Sequence, residues 1–208
     1  MTAIVDYGVG NLFSLKCSFN AINEEAVVTS DIEVIRSADR VILPGVGAFE
    51  DAAGKLKSTG MDRAVKEIAA GGKPLMGICL GMQLLFDRSF EYGEHEGLGL
   101  IPGSVRSLDG AIDSSLKIPH MGWNALKITE PGCKLFKNIK DGDCVYFVHS
   151  YYACECAEHT AAVADYSVPV TAVVHRGNIY GCQFHPEKSG KTGLDILRAF
   201  AGLKEGEC

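Results

Sequence analysis

A cysteine fenced by glycines is the first residue of this chain that could do chemistry. Cys79 stands in Gly77-Ile78-Cys79-Leu80-Gly81, after the apolar run Pro74-Leu75-Met76 and ahead of a helix-like segment. Where a strand turns sharply into a helix, the residue at the apex is held in a strained backbone conformation. Glycines two positions before and after it remove side chains that would collide. The thiol then stands out from the sheet edge at a helix N-terminus, where unpaired N–H groups and the helix dipole favour the thiolate, the form of cysteine that attacks. A free cysteine elsewhere usually behaves as a small buried apolar side chain; the flanking glycines argue for a reactive one. A second motif supplies a base. Ile179-Tyr180-Gly181-Cys182-Gln183-Phe184 reads as a strand that delivers His185-Pro186-Glu187 at its end. Residues two apart in an extended segment project to the same side, so Glu187 can reach the imidazole of His185 and fix its tautomer. It would also stabilise the cation formed when His185 takes the proton of Cys79. Pro186 stiffens the spacing.

Elements of a particular kind must bring these residues together. In the first half, 2–5, 26–29, 40–44 and 74–79 read as strands, and 11–21, 61–70 and 80–86 as helices. This alternation predicts parallel strands with helices packed on both faces, and reactive residues gathered at the carboxyl ends of the strands, where Cys79 falls. The second half changes character. Residues 100–108, 125–129, 144–149, 160–165, 170–175 and 179–184 are strand-like, with 176–178 as a hairpin turn. Residues 192–203 close the pattern as a helix in which Leu194, Ile196, Leu197, Phe200 and Leu203 recur at near-helical spacing. With 208 residues, 47% of them hydrophobic, the chain is expected to form one domain over 1–208 with a sizeable core.

Two loops follow strand-like segments of the first half. In Pro44-Gly45-Val46-Gly47 the glycines let backbone amides turn towards a ligand. An amide of that loop and the Leu80 N–H could together form an oxyanion hole, although a plain tight turn would use the same residues. Asp6-Tyr7-Gly8-Val9-Gly10-Asn11 looks like a nucleotide-binding glycine loop, yet it lacks a third glycine at the right spacing, a downstream acidic partner and a Walker lysine. Nucleotide binding is therefore rejected.

Composition removes further classes. A net charge of −6 is spread without a basic block, which argues against nucleic-acid binding. The sequence shows no charged leader followed by a long apolar region and no stretch of eighteen uninterrupted apolar residues. A soluble, intracellular protein without membrane contact is expected. The eight cysteines do not imply a disulfide framework, because a chain of this length can build a core. Cys17, Cys144 and Cys182 lie within apolar patterns and are expected in the core; Cys133 and Cys208 are expected as exposed or loop thiols. Cys154, Cys156 and His159 resemble half of a zinc site with no second pair to complete it, so no metal is expected.

Taken together, these residues resemble those of class I (triad-type) glutamine amidotransferases, and within them the glutaminase subunits of imidazole glycerol phosphate synthases. The runs that carry the resemblance are Asp6-Tyr7-Gly8-Val9-Gly10-Asn11-Leu12, Leu43-Pro44-Gly45-Val46-Gly47-Ala48-Phe49, Gly77-Ile78-Cys79-Leu80-Gly81-Met82-Gln83, Ile118-Pro119-His120-Met121-Gly122-Trp123-Asn124, Tyr146-Phe147-Val148-His149-Ser150-Tyr151 and Phe184-His185-Pro186-Glu187-Lys188-Ser189. One departure is Gly190, where a glutamine is expected after the Lys-Ser pair. The resemblance implies a three-layer, flavodoxin-like α/β fold. Its central sheet would be mostly parallel, with helices on both faces and added antiparallel strands in the second half. It implies that Cys79, His185 and Glu187 are catalytic, that Val46 and Leu80 form the oxyanion hole, and that Gly45, Gly47 and Gln83 hold glutamine. Backbone groups of Ser150 and Tyr151 would meet the amino-acid end. Gln83 lies one helical turn beyond Cys79, hence on the same face. Neither metal nor organic cofactor is implied.

The resemblance further implies a cytoplasmic heterodimer with a (βα)₈-barrel cyclase subunit. That subunit would use the ammonia to make imidazole glycerol phosphate and AICAR in histidine biosynthesis. Asn11, Trp123, Tyr146 and Lys188 would lie near it, although Trp123 could equally be a core residue. Open alternatives are the glutaminase subunit of pyridoxal phosphate synthase or anthranilate synthase, a cysteine hydrolase or peptidase on the same elbow, and a non-catalytic module with Cys79 merely buried.

Overall fold

The computed structural model describes residues 1–206. Its first half runs β1 (Thr2–Val5), α1 (Leu12–Ala21), β2 (Ala26–Thr29), α2 (Ile32–Ser37), β3 (Arg40–Gly45), α3 (Phe49–Thr59), α4 (Met61–Ala70), β4 (Leu75–Cys79) and α5 (Leu80–Gln83). The second half runs β5 (Phe86–Ser89), β6 (His95–Glu96), β7 (Ile101–Ser107), β8 (His120–Ile128), β9 (Cys144–His149), β10 (Tyr151–Cys154), β11 (Thr160–Asp165), β12 (Pro169–Arg176), β13 (Ile179–Cys182) and α6 (Gly190–Ala201).

Apolar alternation along the strands builds two cores, one on each face of a single large sheet. In β1, Ile4 packs to one side and Ala3 and Val5 to the other; in β3, Ile42 opposes Val41 and Leu43; in β4, Met76 and Ile78 oppose Leu75. Leu15 and Phe19 of α1, with Ile196, Leu197 and Phe200 of α6, fill the first core. Ile35 of α2, Leu56 of α3 and Val65 of α4 fill the second. Helix α4 shows how: Met61, Val65, Ile68 and Ala69 fall on one stripe and are all buried. Gly60, at φ 74°, takes the left-handed conformation that ends α3 and starts α4.

The large sheet is ordered β2-β1-β3-β4-β13-β12-β11-β8-β9. Neighbours from β2 to β13 are parallel, and those from β13 to β9 are antiparallel. The three-layer, flavodoxin-like α/β architecture expected from the sequence is thus present. No helix among the described residues is long and apolar enough to cross a membrane.

Several expectations need correction. Residues 80–86 do not form one helix: α5 stops at Gln83 and β5 begins at Phe86. The carbonyls of Leu84, Leu85 and Phe86 accept instead from the N–H groups of Leu98, Leu100, Ile101 and Gly99. A Cβ on Gly97 would lie 2.1 Å from the Phe86 oxygen, so only glycine permits that approach. The strand expected over 100–108 belongs to a second, four-stranded sheet ordered β10-β7-β5-β6, and β8 begins at His120, five residues before the expected strand. Cys17 and Cys144 are exposed, whereas Cys182 is buried. Cys17 lies off the Leu15, Ser18 and Phe19 face of α1, and Cys144 is an outward residue of β9, which alternates exposed or half-buried with buried positions. Cys133 is a loop thiol, but a buried one. Cys208 lies outside the described residues. Among those residues no group of three or more His, Cys, Asp or Glu is placed to hold a metal ion.

Candidate active site

Cys79 is the last residue of β4 and the residue from which α5 starts, with φ 54° and ψ −112°. A non-glycine residue at positive φ is strained, and here the packing of the turn enforces it. A Cβ on Gly77 would lie 2.5 Å from the Gly81 oxygen, and one on Gly81 would lie 1.8 Å from the Leu43 oxygen. The two glycines let α5 cross back against β3 and β4 at van der Waals distance. On β3, Gly45 is paired with Cys79; a Cβ there would meet the Gly81 nitrogen at 2.7 Å and the Leu80 Cβ at 2.9 Å. Beyond it the chain turns through Val46 and Gly47, the latter at φ 97° with open space around it. The Tyr7 hydroxyl donates to the Pro44 carbonyl at 2.7 Å and tethers the start of this loop.

β13 lies beside β4 in parallel and carries the chain to His185. The turn is clamped onto β9: the His185 N–H donates to the Tyr146 carbonyl at 3.0 Å. The Tyr146 N–H donates to Ser189 Oγ at 2.9 Å, and that hydroxyl donates to the His185 carbonyl at 2.6 Å. His185 Nδ1 lies 2.9 Å from Glu187 Oε1, with side-chain exposures of 4% and 1%. Burial alone lowers the pKa of His185, but hydrogen bonds and charge from Cys79 and Glu187 outweigh it and raise the value to about 10. Cys79 on one side and the Glu187 carboxylate on the other thus both favour the protonated imidazole.

A cleft of about 580 Å³ opens over this group. It is lined by Val46, Gly47, Cys79, Leu80 and Gln83 from the elbow side, and by His149, Ser150, Tyr151 and His185 opposite. Gln83 is buried; its amide N–H₂ donates to the Tyr151 carbonyl at 3.0 Å and to Gln183 Oε1 at 3.1 Å. Gln183 in turn places Nε2 at 3.8 Å from Cys79 Sγ. Gly45 sits just beneath the cleft in the β3–β4 register. So Cys79, His185, Glu187, Val46, Leu80, Gly45, Gly47, Gln83, Ser150 and Tyr151 all meet at one place. Sequence reasoning missed Gln183, His149, Glu91 and Tyr92. The period-two spacing of Gln183 from His185 was a usable signal. Glu91 and Tyr92 lie in a loop and had none. The Glu91 carboxylate lines the cleft and accepts from the Phe49 N–H at 2.7 Å, at the first turn of α3.

The four residues expected near a partner are less tightly grouped. Trp123 is 59% exposed on β8, edge-on to the Tyr146 ring across the β8–β9 pair, with centroids 6.1 Å apart. It is a surface residue rather than a core one. A Cβ on Gly190 would lie 3.8 Å from the Trp123 ring, so the departure at that position leaves room beside the indole. Lys188 is exposed and Asn11 half-buried, the latter just before α1, which packs on the 186–188 turn. Phe13 and Met121 are also exposed.

An elbow cysteine in a strained conformation and a buried histidine–carboxylate pair at a cleft on a flavodoxin-like sheet make up a site for nucleophilic thiol chemistry. The family model for class-I glutamine amidotransferases matches residues 3–202, and the chain belongs to that family. Among curated proteins it is similar to the imidazole glycerol phosphate synthase subunit HisH of Bacillus cereus, 49% identical over 205 residues that cover 99% of this chain and 96% of the relative. The same subunit of Listeria monocytogenes is 48% identical, with 96% and 94% covered, and that of Lacticaseibacillus casei 46% identical, with 100% and 98% covered. Among solved structures, a glutamine amidotransferase aligns with a TM-score of 0.74 at 18% identity, covering 97% of this chain and 99% of the other. PurLQS from Thermotoga maritima aligns at 0.71 with 20% identity and 96% of each chain covered. These structural likenesses bear on the fold alone.

Proposed function

We propose that this chain is the glutaminase subunit of an imidazole glycerol phosphate synthase, hydrolysing glutamine to glutamate and ammonia for a (βα)₈-barrel cyclase subunit. The observation that carries the reading is the strained Cys79 beside the buried His185–Glu187 pair at the floor of a cleft, in a chain nearly half identical to proteins named as that subunit. The Cys79 thiolate attacks the side-chain amide carbon of glutamine. His185, carrying the former thiol proton, returns it to the departing nitrogen, so that ammonia leaves and a glutamyl thioester remains. Water then adds to the thioester, His185 taking its proton and giving it back to sulfur as glutamate is released. Backbone N–H groups of Val46 and Leu80 receive the charge that develops on the amide oxygen. Gly45 allows the close approach of β3 to the elbow, Gly47 takes the positive φ that turns the loop over the substrate, and Gln83 holds the Ser150–Tyr151 lip that meets the amino-acid end. The Glu91 carboxylate on the cleft wall complements the substrate's α-ammonium.

Trp123, Tyr146, Lys188 and Asn11 mark the face for the cyclase, supported by the exposure of an indole and the apolar Phe13 and Met121 beside polar groups. A glycine-flanked peptide at Gly45–Val46 can turn either its carbonyl or its N–H into the cleft, which gives the partner a switch. The test is steady-state glutamate release by the chain alone, then with a cyclase subunit and its phosphosugar ligand. Activation of about a hundred- to a thousandfold in kcat is expected from one oxyanion donor. Full activity without the partner means a preformed oxyanion hole and removes the switch; no synthase activity with the partner overturns the reading.

A further inference from the structure

Two buried histidines that the mechanism does not use lie between the proposed cyclase face and the cleft. His120 on β8 and His149 on β9 are directly paired across the strands, and both are buried. Their hydrogens have one consistent arrangement. His149 Nδ1 lies 2.9 Å from the Tyr151 carbonyl; a carbonyl only accepts, so this nitrogen carries the proton and His149 Nε2 is an acceptor. His120 Nδ1, 3.0 Å from that Nε2, must therefore donate, which leaves His120 Nε2 to accept from Asn124 Nδ2 at 3.3 Å. The other Asn124 amide hydrogen goes to the Asp165 carbonyl at 2.8 Å, and Asn124 Oδ1 accepts from the Ala125 N–H. Both rings are neutral in this chain, and burial holds their pKa values down to about 4 for His120 and about 3 for His149. His120 is also stacked on both faces, with ring centroids 4.7 Å from Phe147 and 4.1 Å from Tyr166.

The chain ends on the carbonyl that Gln83 also uses. The Tyr151 oxygen accepts from His149 and from Gln83, Gln83 donates to Gln183, and Gln183 faces the Cys79 sulfur. From the other end it starts on β8 at Asn124, next to the exposed Trp123. We propose that His120 and His149 are positioning residues for glutamine hydrolysis, a neutral two-imidazole relay that sets the Ser150–Tyr151 lip of the cleft according to the position of β8 at the partner face. Because every hydrogen in it has one place to go, the relay has a single low-energy setting, and a shift of β8 must move the lip. This inference rests on the glutaminase reading above.

The relay acts at the amino-acid end of the substrate, away from the reacting carbon, so its loss removes binding shared by ground and transition states. In the complex with the cyclase subunit, His120→Phe keeps the stacked ring and removes both nitrogens. It should raise KM for glutamine about tenfold, the scale of one buried hydrogen bond, with kcat little changed. His120→Gln, which can still donate to His149 and accept from Asn124, should recover most of that loss. Nitrogen-15 NMR of histidine-labelled protein should show both rings neutral and protonated at Nδ1, the tautomer less populated by free imidazole side chains. A His120→Phe variant within twofold of the parent, a His120→Gln variant as defective as His120→Phe, or an Nε2-protonated ring at either position overturns the relay. A parent complex that releases no glutamate from glutamine overturns the glutaminase reading instead, and the NMR measurement, which needs no substrate, still decides the hydrogen-bond chain.

Discussion

Replacing Glu187 with glutamine tests the charge arrangement at the site while leaving its shape nearly intact. Glu187 Oε1 is 2.9 Å from His185 Nδ1 and both side chains are almost fully buried. The glutamine oxygen can keep the hydrogen bond and the tautomer, but the negative charge is lost. At a charge separation of about 4 Å and an effective dielectric of about 20 the attraction is about 4 kcal/mol. A neutral hydrogen bond of about 1 kcal/mol survives the change, so the imidazolium loses about 2–3 kcal/mol, roughly thirty- to a hundred-and-fifty-fold in kcat. Glu187 Oε2 is buried with no hydrogen-bond partner; the glutamine N–H₂ placed there would be an unsatisfied donor, and the variant should also lose stability. The pH dependence carries the sign. The folded pKa of His185, about 10, lies above the ordinary value of about 6.5. Its stabilisation is therefore complete below about pH 6.5 and fades as pH rises towards 10. The stability gap between parent and variant, measured by urea unfolding, should be widest near pH 6 and narrow towards pH 10. Glutamate release should fall as stated, with its alkaline limit moved to lower pH. A variant within threefold of the parent in kcat, or a stability gap that grows with pH, would refute the reasoning.

Three further outcomes are expected. Cys79→Ser should abolish glutamate release while thermal unfolding stays near that of the parent and ammonia-dependent synthesis by the complex continues; parental glutaminase activity in the variant removes Cys79 from the mechanism. Gly81→Ala forces a Cβ to within 1.8 Å of the Leu43 oxygen and should cost at least about 3 kcal/mol, read as soluble yield and unfolding midpoint. Trp123→Ala removes an indole that is mostly in solvent. It should leave the unfolding midpoint unchanged and weaken cyclase binding at least about tenfold, checked by calorimetric titration.

The parts of the site that were legible in the sequence are those in which local backbone geometry dictates residue type. The glycines around Cys79 announce the elbow because any side chain at 77 or 81 meets backbone within 3 Å. The two-residue spacing of His185 and Glu187 announces their pairing because it survives the turn that follows β13. The strands up to Cys79 were readable for the same reason, since Ile4 against Ala3 and Val5, or Ile42 against Val41 and Leu43, is a period-two pattern, whereas helices α2 and α3 went unread. What was hidden depends on contacts between distant segments. Whether 84–86 continue a helix is decided by residues 97–101, which take up their carbonyls, and from that decision follows the second sheet. Cys144 stands in an apolar run, but β9 is at the sheet edge, where outward positions meet solvent. The relay through His120 and His149 exists only because β8 and β9 pair in one register.

The placement of β13 between β4 and β12 governs when the reactive thiol comes into being. Gln183, which faces the Cys79 sulfur, lies 104 residues further along the chain, and His185 follows it. A ribosome that has released the elbow has made a cysteine without its base: β4 then lacks the neighbour on one side, and nothing raises the affinity of an imidazole for the thiol proton. A chain that ends before β13 thus has the elbow cysteine but neither Gln183 nor the His185–Glu187 pair beside it, so nucleophile and base come together only when the last strand of the parallel set takes its place.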